Sequence, residues 1–428
     1  MNINYKDKYL KYKQKYLNLR KLNIQTGGFN LKCPEDMVMC EKPTENMGMC
    51  VQVGLDCNTQ YNQDKVKIPE IIWEETDQEL LSKYDLGIKK GYVDEHLHLD
   101  CNSGKSLVKY DNHDRTNIPN EFSIITLNVM GIYRNKPDVL LLMEHRANLL
   151  SDYILLNTPD LLCFQEMSWE FFNFLYKKIS HIYPYYHEEK FTPDVLTARK
   201  KDIETFLISK YQPESVNVID LGGNLGYGNS ILEITFPNLK IYNCYFQAGS
   251  RSSPGQLPKW LHYSRCRSQQ FKFLKEKMDR MDESIPVIIL GDFNFHLDGD
   301  ESEWPELKYL NDLKMSDSWK EINKSQDGYT ENTDINDMRF NSKFEVKRYR
   351  YDAIFYKKLN PIESLIIGDK PVELVGTELN RAYERAILPK DGLTNPQLKI
   401  VRKDANDEPI YNLFISDHFG IYTKFTIS

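Results

Sequence analysis

Two rhythms of apolar and polar positions divide the chain. Residues 5 to 22, YKDKYLKYKQKYLNLRKL, place Tyr5, Tyr9, Tyr12, Tyr16 and Leu19 at spacings of four and three, with Lys and Arg between them. That is the period of an amphipathic helix with a basic outer face. QTGG at 25 to 28 ends it. From about Pro119 onward, short and nearly continuous apolar runs each close on polar residues. FSIITLNVMG ends at Asn128, PDLLCFQEMS at Gln165 and Glu166, and VIILGDFNFH at Asp292 and Asn294; YRYDAIFYK carries Asp352, and YNLFISDHFGIY carries Asp417 and His418. Such runs predict buried strands whose ends present the polar residues.

Composition narrows what the two parts can be. At 428 residues, with 41% hydrophobic and 12% aromatic positions, the chain has material for one large domain with an appendage, or for two domains. A net charge of -7 excludes a global positive field for a polyanion, so a phosphate-bearing substrate has to be gripped locally, and a bound cation is one way to do it. No apolar run reaches the length of a bilayer span, and the first residues lack the apolar core of a signal peptide. An intracellular setting is therefore expected.

Between the helix and the strands, CPEDMVMCEKPTENMGMCVQVGLDC repeats Glu35, Met37, Met39 and Cys40 ten positions on as Glu45, Met47, Met49 and Cys50, with cysteines at 33, 40, 50 and 57. The absence of a Cys-x-x-Cys pair argues against zinc, and a small disulfide-stapled module and a run of free thiols both stay open. Three other motifs fail on their context. NSGKS at 102 to 106 has Leu99 where a phosphate loop needs its first glycine. DLGGNLGYGN at 220 to 229 lies between strand-like VNVI and SILEITF with no helix to follow, and reads as a hairpin. VDEHLHLD, with His96 and His98, reads as an exposed polar loop.

Each strand-end residue, taken alone, is what turns and helix caps use. Together, five sets of Asn, Glu, Asp and His without Cys or Lys point to a hard divalent cation with oxygen ligands. Asn128, QE at 165 to 166, GDFN at 291 to 294, Asp352 and SDH at 416 to 418 resemble, in order, the signature of the endonuclease/exonuclease/phosphatase superfamily, over roughly residues 119 to 428. The resemblance implies a four-layer α/β sandwich: two mostly antiparallel sheets face to face, helices outside, and the site where strand ends converge. It implies Glu166 as the principal ligand of Mg2+ or Mn2+, with Asn128 and Asp417 in the metal shell. It implies Asp292 and Asn294 as the residues that orient and deprotonate a water, and His418, oriented by Asp352, as a donor to the phosphoryl oxygens. The reaction implied is hydrolysis of a phosphate ester. Where many members have a histidine in a strand reading NTHL, this chain has NCYF, with Tyr245. AP endonucleases carry a tyrosine at that place, so Tyr245 is expected to donate its hydroxyl to the phosphate, a plain core aromatic being the other reading.

Within the superfamily, GYTENTDINDMRFNSKFEVKRYRYDAIFYK at 328 to 357 and SDSWKE at 316 to 321 are similar to the 5′-acting tyrosyl-DNA phosphodiesterases, although Glu331 stands where those carry a tryptophan. Basic residues interleave with rings over Arg251, Lys259, Trp260, Tyr263, Arg265 and Arg267, and again from Lys347 to Tyr351. That pattern suits a nucleic-acid strand, and Arg251, Arg267, Arg350 and Tyr351 are expected to bind substrate; solvated charges beside core rings are the ordinary alternative. A small-molecule or lipid phosphatase, and a catalytically silent structural or virion protein, stay open. The basic tract at the start resembles one found on many proteins of giant amoeba-infecting DNA viruses. That implies a host-cytoplasmic or virion-packaged setting, with a packing or targeting partner for the helix. The expected organisation is a helix and stop at 1–28, a Cys-containing region at 29–118 and a catalytic domain at 119–428.

Overall fold

The computed structural model describes, with side chains, residues 115–131, 137–187, 205–219, 221, 230–249, 263–336, 338, 347–374, 378–385 and 411–427, and the backbone of shorter stretches that include 105–111, 202–204 and 257–262. The helix expected at 5–22, the polar loop at 93–100, the glycine-rich loop at 222–229 and Arg251 lie outside the described residues. Of the cysteine-bearing region, short strands such as Met37–Met39 and Cys50–Gln52 are described. No helix among the described residues is long and apolar enough to cross a membrane.

The principal elements are β1 (Lys105–Asp111), β2 (Glu121–Asn128), α1 (Pro137–Asn157), β3 (Leu161–Ser168), α2 (Trp169–Ile179), β4 (Tyr185–His187), β5 (Asp202–Ser209), β6 (Ser215–Asp220), β7 (Ser230–Phe236), β8 (Leu239–Tyr245), α3 (Leu257–Asp279), β9 (Val287–Asp292), α4 (Glu306–Asp312), β10 (Ser316–Asp317), β11 (Glu331–Asn332), β12 (Arg348–Tyr349), β13 (Asp352–Lys357), β14 (Leu359–Ile367), α5 (Thr377–Ile387) and β15 (Gly420–Ile427). A six-stranded sheet has the order β14-β15-β2-β3-β5-β4, and a seven-stranded sheet the order β10-β13-β9-β8-β7-β6-β1. Each sheet is antiparallel apart from one parallel pair: β2 with β3, and β8 with β9. A parallel neighbour requires a crossover, and the helices that follow β2 and β8 supply it, α1 in one sheet and α3 in the other.

The runs without polar interruption follow from burial on both faces. Ile124, Leu161, Cys163, Ile288 and Leu290 point into the layer between the sheets. Their neighbours Ile125, Leu162 and Phe164 pack under α1 and α2 with Met143, Leu150, Phe171 and Leu175. Ile289 and Phe355 pack under α3 and α4 with Phe271, Leu274 and Leu310. A strand covered on both sides needs an apolar residue at every position. Each such side chain contributes roughly 1.5–3 kcal/mol on burial, so the two sheets are held by many comparable increments. Ser168 starts α2, its hydroxyl accepting the Phe171 amide at 3.1 Å. The result is the expected four-layer sandwich of helices, two sheets and helices.

Two boundaries are sharper in three dimensions. β1 lies before residue 119 and pairs with β6 at the edge of the seven-stranded sheet. β6 and β7, which flank the glycine-rich loop, pair antiparallel from Ser215↔Thr235 to Asp220↔Ser230, as a hairpin requires. Late in the chain, α5 packs Ala382 and Tyr383 with Leu142, Met338, Leu413, Phe414 and Phe419 in a small separate core. An Arg385–Asp138 pair at 2.6 and 2.8 Å ties α5 to α1.

Candidate active site

The two parallel pairs end at the same edge of the sandwich. In the six-stranded sheet Asn128 lies beside Gln165, and in the seven-stranded sheet Tyr245 lies beside Asp292, which in turn faces Asp352. Toward this edge the layer between the sheets turns polar. Gln165 donates to the Asn243 side chain at 2.6 Å, and Asn243 donates to the carbonyls of Phe164 and Phe206. Buried amides satisfied in this way fix one register between the sheets.

Three side-chain bonds then cross from sheet to sheet. Asn128 Nδ2 donates to Asp292 Oδ2 at 3.0 Å, the Tyr245 hydroxyl donates to Glu166 Oε1 at 2.5 Å, and His418 Nδ1 lies 2.9 Å from Asp352 Oδ2. Asn128, Glu166, Asp417 and His418 come from the six-stranded side. Tyr245, Asp292, Asn294 and Asp352 come from the other.

The backbone is shaped to deliver these groups. Glu166 and Asn294 sit at φ +53° and +56°, the left-handed region that non-glycine residues rarely adopt and that recurs at functional sites. Gly291, at φ +132°, lets β9 approach β8 so closely that a Cβ would lie 1.9 Å from the Cys244 carbonyl oxygen. Asp292 is thereby set against its neighbours. Its Oδ1 accepts the Asn294 amide at 2.8 Å, and its Oδ2 accepts Asn294 Nδ2 at 3.2 Å. The same Nδ2 also donates to the Phe246 carbonyl at 3.0 Å, so the Asn294 carboxamide oxygen is the atom left to accept from a ligand.

The electrostatics separate the carboxylates by role. Burial pushes Asp292 up to about 7, with Asp352 adding to the rise and His418, Asn128 and the Asn294 amide opposing it. Burial disfavours a charged His418, yet Asp352, Asp292 and Asp417 together raise its pKa to about 10, so the ring is an imidazolium at neutral pH. Glu166 is raised by burial and by the Asp417 carboxylate, against the bonds from Tyr245 and Asn128. Asp352 Oδ1 is buried without a hydrogen-bond partner among the described residues.

Three sequence expectations change here. Asn128 was expected to contribute to a metal shell, but its oxygen accepts the Met130 amide at 2.9 Å, while its nitrogen faces Glu166 and Asp292, each at 3.0 Å. Its nitrogen holds the two carboxylates, and its oxygen keeps one lone pair beyond the Met130 bond. Tyr245 was expected to donate to a phosphate, but the hydroxyl proton goes to Glu166, with the residue 1% exposed. Arg267 and Arg350 were expected to bind substrate, and both are buried. Arg267 pairs with Glu306 at 2.7 Å and donates to the carbonyls of Gln247 and Gly249. Arg350 holds Asp298 at 2.9 and 3.0 Å and Asp317 at 2.7 Å. Each guanidinium braces a loop next to the site. Tyr351 is also buried, with its ring 6.2 Å from that of His418 and stacked 5.4 Å from Tyr349, which reaches His296 at 5.0 Å.

Sequence reasoning passed over Arg146, whose guanidinium lies under the site. The signal was there: Leu142, Met143, Arg146, Ala147 and Leu150 form the buried stripe of α1, with one charge among apolar residues.

The family described as Endonuclease/Exonuclease/phosphatase matches residues 125–418. No curated protein matches the chain. Among solved structures, TDP2 from D. rerio, complexed with single-strand DNA product, is similar at 20% identity, with 72% of this chain and 99% of that one covered and a TM-score of 0.44. Truncated TDP2 from Caenorhabditis elegans is similar at 18% identity, covering 72% and 98%, with a TM-score of 0.46. A beta toxin from Staphylococcus aureus is similar at 17% identity, covering 71% and 99%, also with a TM-score of 0.46.

Proposed function

Because the chain belongs to the Endonuclease/Exonuclease/phosphatase family, whose members are phosphoric ester hydrolases, we propose that it hydrolyses a phosphodiester in nucleic acid by attack of water, with Mg2+ or Mn2+ as cofactor. The observation that carries this reading is the set of three bonds across the sheets, which gathers a carboxylate pushed up to about 7, an imidazolium and a second pair of carboxylates at one edge.

The residues fit a hard divalent cation. The Asp417 carboxylate raises the cost of ionising the buried Glu166, a repulsion that a cation would offset, and oxygen donors suit Mg2+ or Mn2+. Asp292, Asp352 and His418 also bring ligand atoms within 4.8 Å of one another. In that group, however, the His418 nitrogen is engaged by Asp352 and the ring is held protonated, which suits a donor better than a ligand. We therefore assign the cation to Glu166 and Asp417, with Asn128 and Tyr245 keeping the Glu166 carboxylate in place. When bound, the cation supplies Lewis-acid stabilisation of the charge that develops on the phosphoryl and leaving oxygens.

The protein's own groups do the rest. Asn294 accepts one hydrogen of the attacking water through its carboxamide oxygen, and Asp292 takes the proton as the new O–P bond forms and the ester O–P bond opposite it breaks, the leaving oxygen gaining a proton from solvent. A carboxylate titrating near 7 is matched to that task. Asp352 fixes His418 through Nδ1, so Nε2–H points its charge-assisted bond at a phosphoryl oxygen. The nucleic-acid part of the proposal is supported by the row of rings leading away from His418, in which the half-exposed Tyr349 and His296 offer stacking faces beside the exposed Arg348. The catalytic unit is proposed to start before Lys105, since β1 completes the seven-stranded sheet.

The test is hydrolysis of a panel with Mg2+, Mn2+ or EDTA. The panel holds single- and double-stranded DNA, an abasic duplex, a 5′-tyrosyl oligonucleotide, poly(A) RNA, an inositol polyphosphate and sphingomyelin. Metal-dependent cleavage of a nucleic acid, lost in Glu166→Ala and Asp292→Ala, is the expected result. Turnover confined to the inositol phosphate or the lipid would overturn the substrate class. A folded, cation-binding protein that turns over nothing would overturn the activity.

A further inference from the structure

The ligand-bearing segments of the six-stranded side do not hold their spacing through strand pairing alone. Val129 and Gly131, just past Asn128, are bonded to the other ligand strand, Val129 N–H to the Gln165 carbonyl at 2.9 Å and Gly131 N–H to the Glu166 carbonyl at 2.7 Å. Gly131 is pressed so close that a Cβ would lie 2.6 Å from the Glu166 oxygen. Asp417 and His418 arrive on a separate segment, the turn into β15. Between the two lies Arg146 of α1, 2% exposed, with its guanidinium over the Phe171 ring at 5.4 Å. Nη1 donates to the Val129 carbonyl at 2.9 Å and to the Ile415 carbonyl at 3.0 Å, and Nη2 donates to the Met130 carbonyl at 2.9 Å.

We infer that Arg146 is a positioning residue: one planar cation that clamps the Asn128/Glu166 segment to the Asp417/His418 segment and so sets the distance between the groups assigned to the cation and to phosphoryl stabilisation. This rests on the proposed hydrolytic reading of the site. The chemistry selects arginine. Three carbonyls in fixed directions match a rigid fork of donors, whereas the lysine ammonium is a single point on a flexible stem. The far side of the same turn is braced independently: Asn336 Nδ2 donates to the Ser416 carbonyl at 3.0 Å and Phe419 N–H to the Thr330 carbonyl at 2.7 Å. Loss of the clamp therefore leaves the turn attached to the protein and frees only its spacing from Glu166. Groups that orient ligands in this way typically matter by 10–100-fold in metal affinity or activity.

The test uses the full chain as Arg146→Lys and Arg146→Met. Melting and circular dichroism give the folded fraction, to which all other readings are normalised. Mn2+ binding is followed by proton relaxation, kcat and KM by cleavage of the best substrate of the panel, and the low-field imidazole proton of His418 by NMR, assigned by its loss in His418→Gln. Arg146→Lys is expected to fold, to bind Mn2+ about 10–100-fold more weakly, to lose kcat by a comparable factor with KM little changed, and to shift or broaden the His418 resonance. Unchanged Mn2+ affinity and an unchanged His418 resonance in folded Arg146→Lys would overturn the inference, as would losses that vanish on normalisation to the folded fraction. Should the wild-type chain hydrolyse nothing, the hydrolytic reading fails by itself, and the Mn2+ and NMR readings still decide whether Arg146 sets the geometry. Should it also bind no Mn2+, the NMR resonance decides alone.

Discussion

Replacing Asp352 with asparagine tests the charge logic of the site. Asp352 is fully buried, accepts from His418 at 2.9 Å and heads the influences that lift that ring's pKa to about 10 against the opposing effect of burial. Against an ordinary value near 6.5, and at about 1.4 kcal/mol per pH unit, the lift amounts to roughly 5 kcal/mol in favour of imidazolium. Without the Asp352 charge, burial remains and only Asp292 and Asp417 oppose it, so the pKa falls. The imidazolium, and with it the competent form, is then lost at a lower pH than in wild type, before any misorientation is counted. The profile of kcat/KM against pH, measured from 5 to 11, should show its alkaline limb near 10 in wild type and displaced to lower pH in Asp352→Asn. An NMR titration of His418 in the metal-free protein should show the same displacement. A group whose pKa is raised on folding stabilises the fold fully below its unfolded value and loses that contribution as pH rises through the folded value. The substitution should therefore cost several kcal/mol at pH 6 and little at pH 11. An alkaline limb that stays near 10 in Asp352→Asn would refute this account of His418.

Other perturbations separate roles that lie close together. Gly291→Ala puts a Cβ 1.9 Å from the Cys244 carbonyl oxygen at φ +132° and should cost more than about 3 kcal/mol in chemical denaturation, with soluble yield falling in step. Arg350→Met leaves Asp317 without its cation and Asp298 with Lys320 alone, and should cost about 3–5 kcal/mol, read as a fall in Tm; the folded fraction should keep a wild-type KM, whereas a substrate contact would raise it. Tyr245→Phe removes a bond that lowers the Glu166 pKa and holds its carboxylate, and should weaken Mn2+ binding about 10-fold, read by proton relaxation.

The legible parts of the sequence were those fixed by local pattern. Continuous apolar runs gave the strands because the sandwich covers both faces, and the polar residues at their ends gave Glu166, Asp292, Asn294, Asp352 and His418 because strand ends are where a sheet can present chemistry. What stayed hidden depends on partners far along the chain. Arg267 and Arg350 look like any basic residue beside a ring, and only folding brings up Glu306, 39 positions away from one, and Asp298, 52 positions away from the other. The positive φ of Glu166 leaves no mark in composition, and the orientation of the Asn128 amide is decided by the single amide of Met130. β1 was assigned to the preceding region because an isolated seven-residue strand carries no label for the sheet edge it will join.

The bonds that join the sheets also govern when the candidate site can form. The chain lays down β2 to β5 of one sheet, leaves to build most of the other, and returns with β14 and β15, the latter sliding between β14 and β2. Asp417 and His418 enter with that last strand, and their counterpart Asp352 sits on the opposite sheet. A form in which β15 has not yet docked therefore lacks the pair of His418 and Asp352. Pairings of such sequence separation form late and slowly, so the proposed hydrolysis would begin only once the last strand has docked.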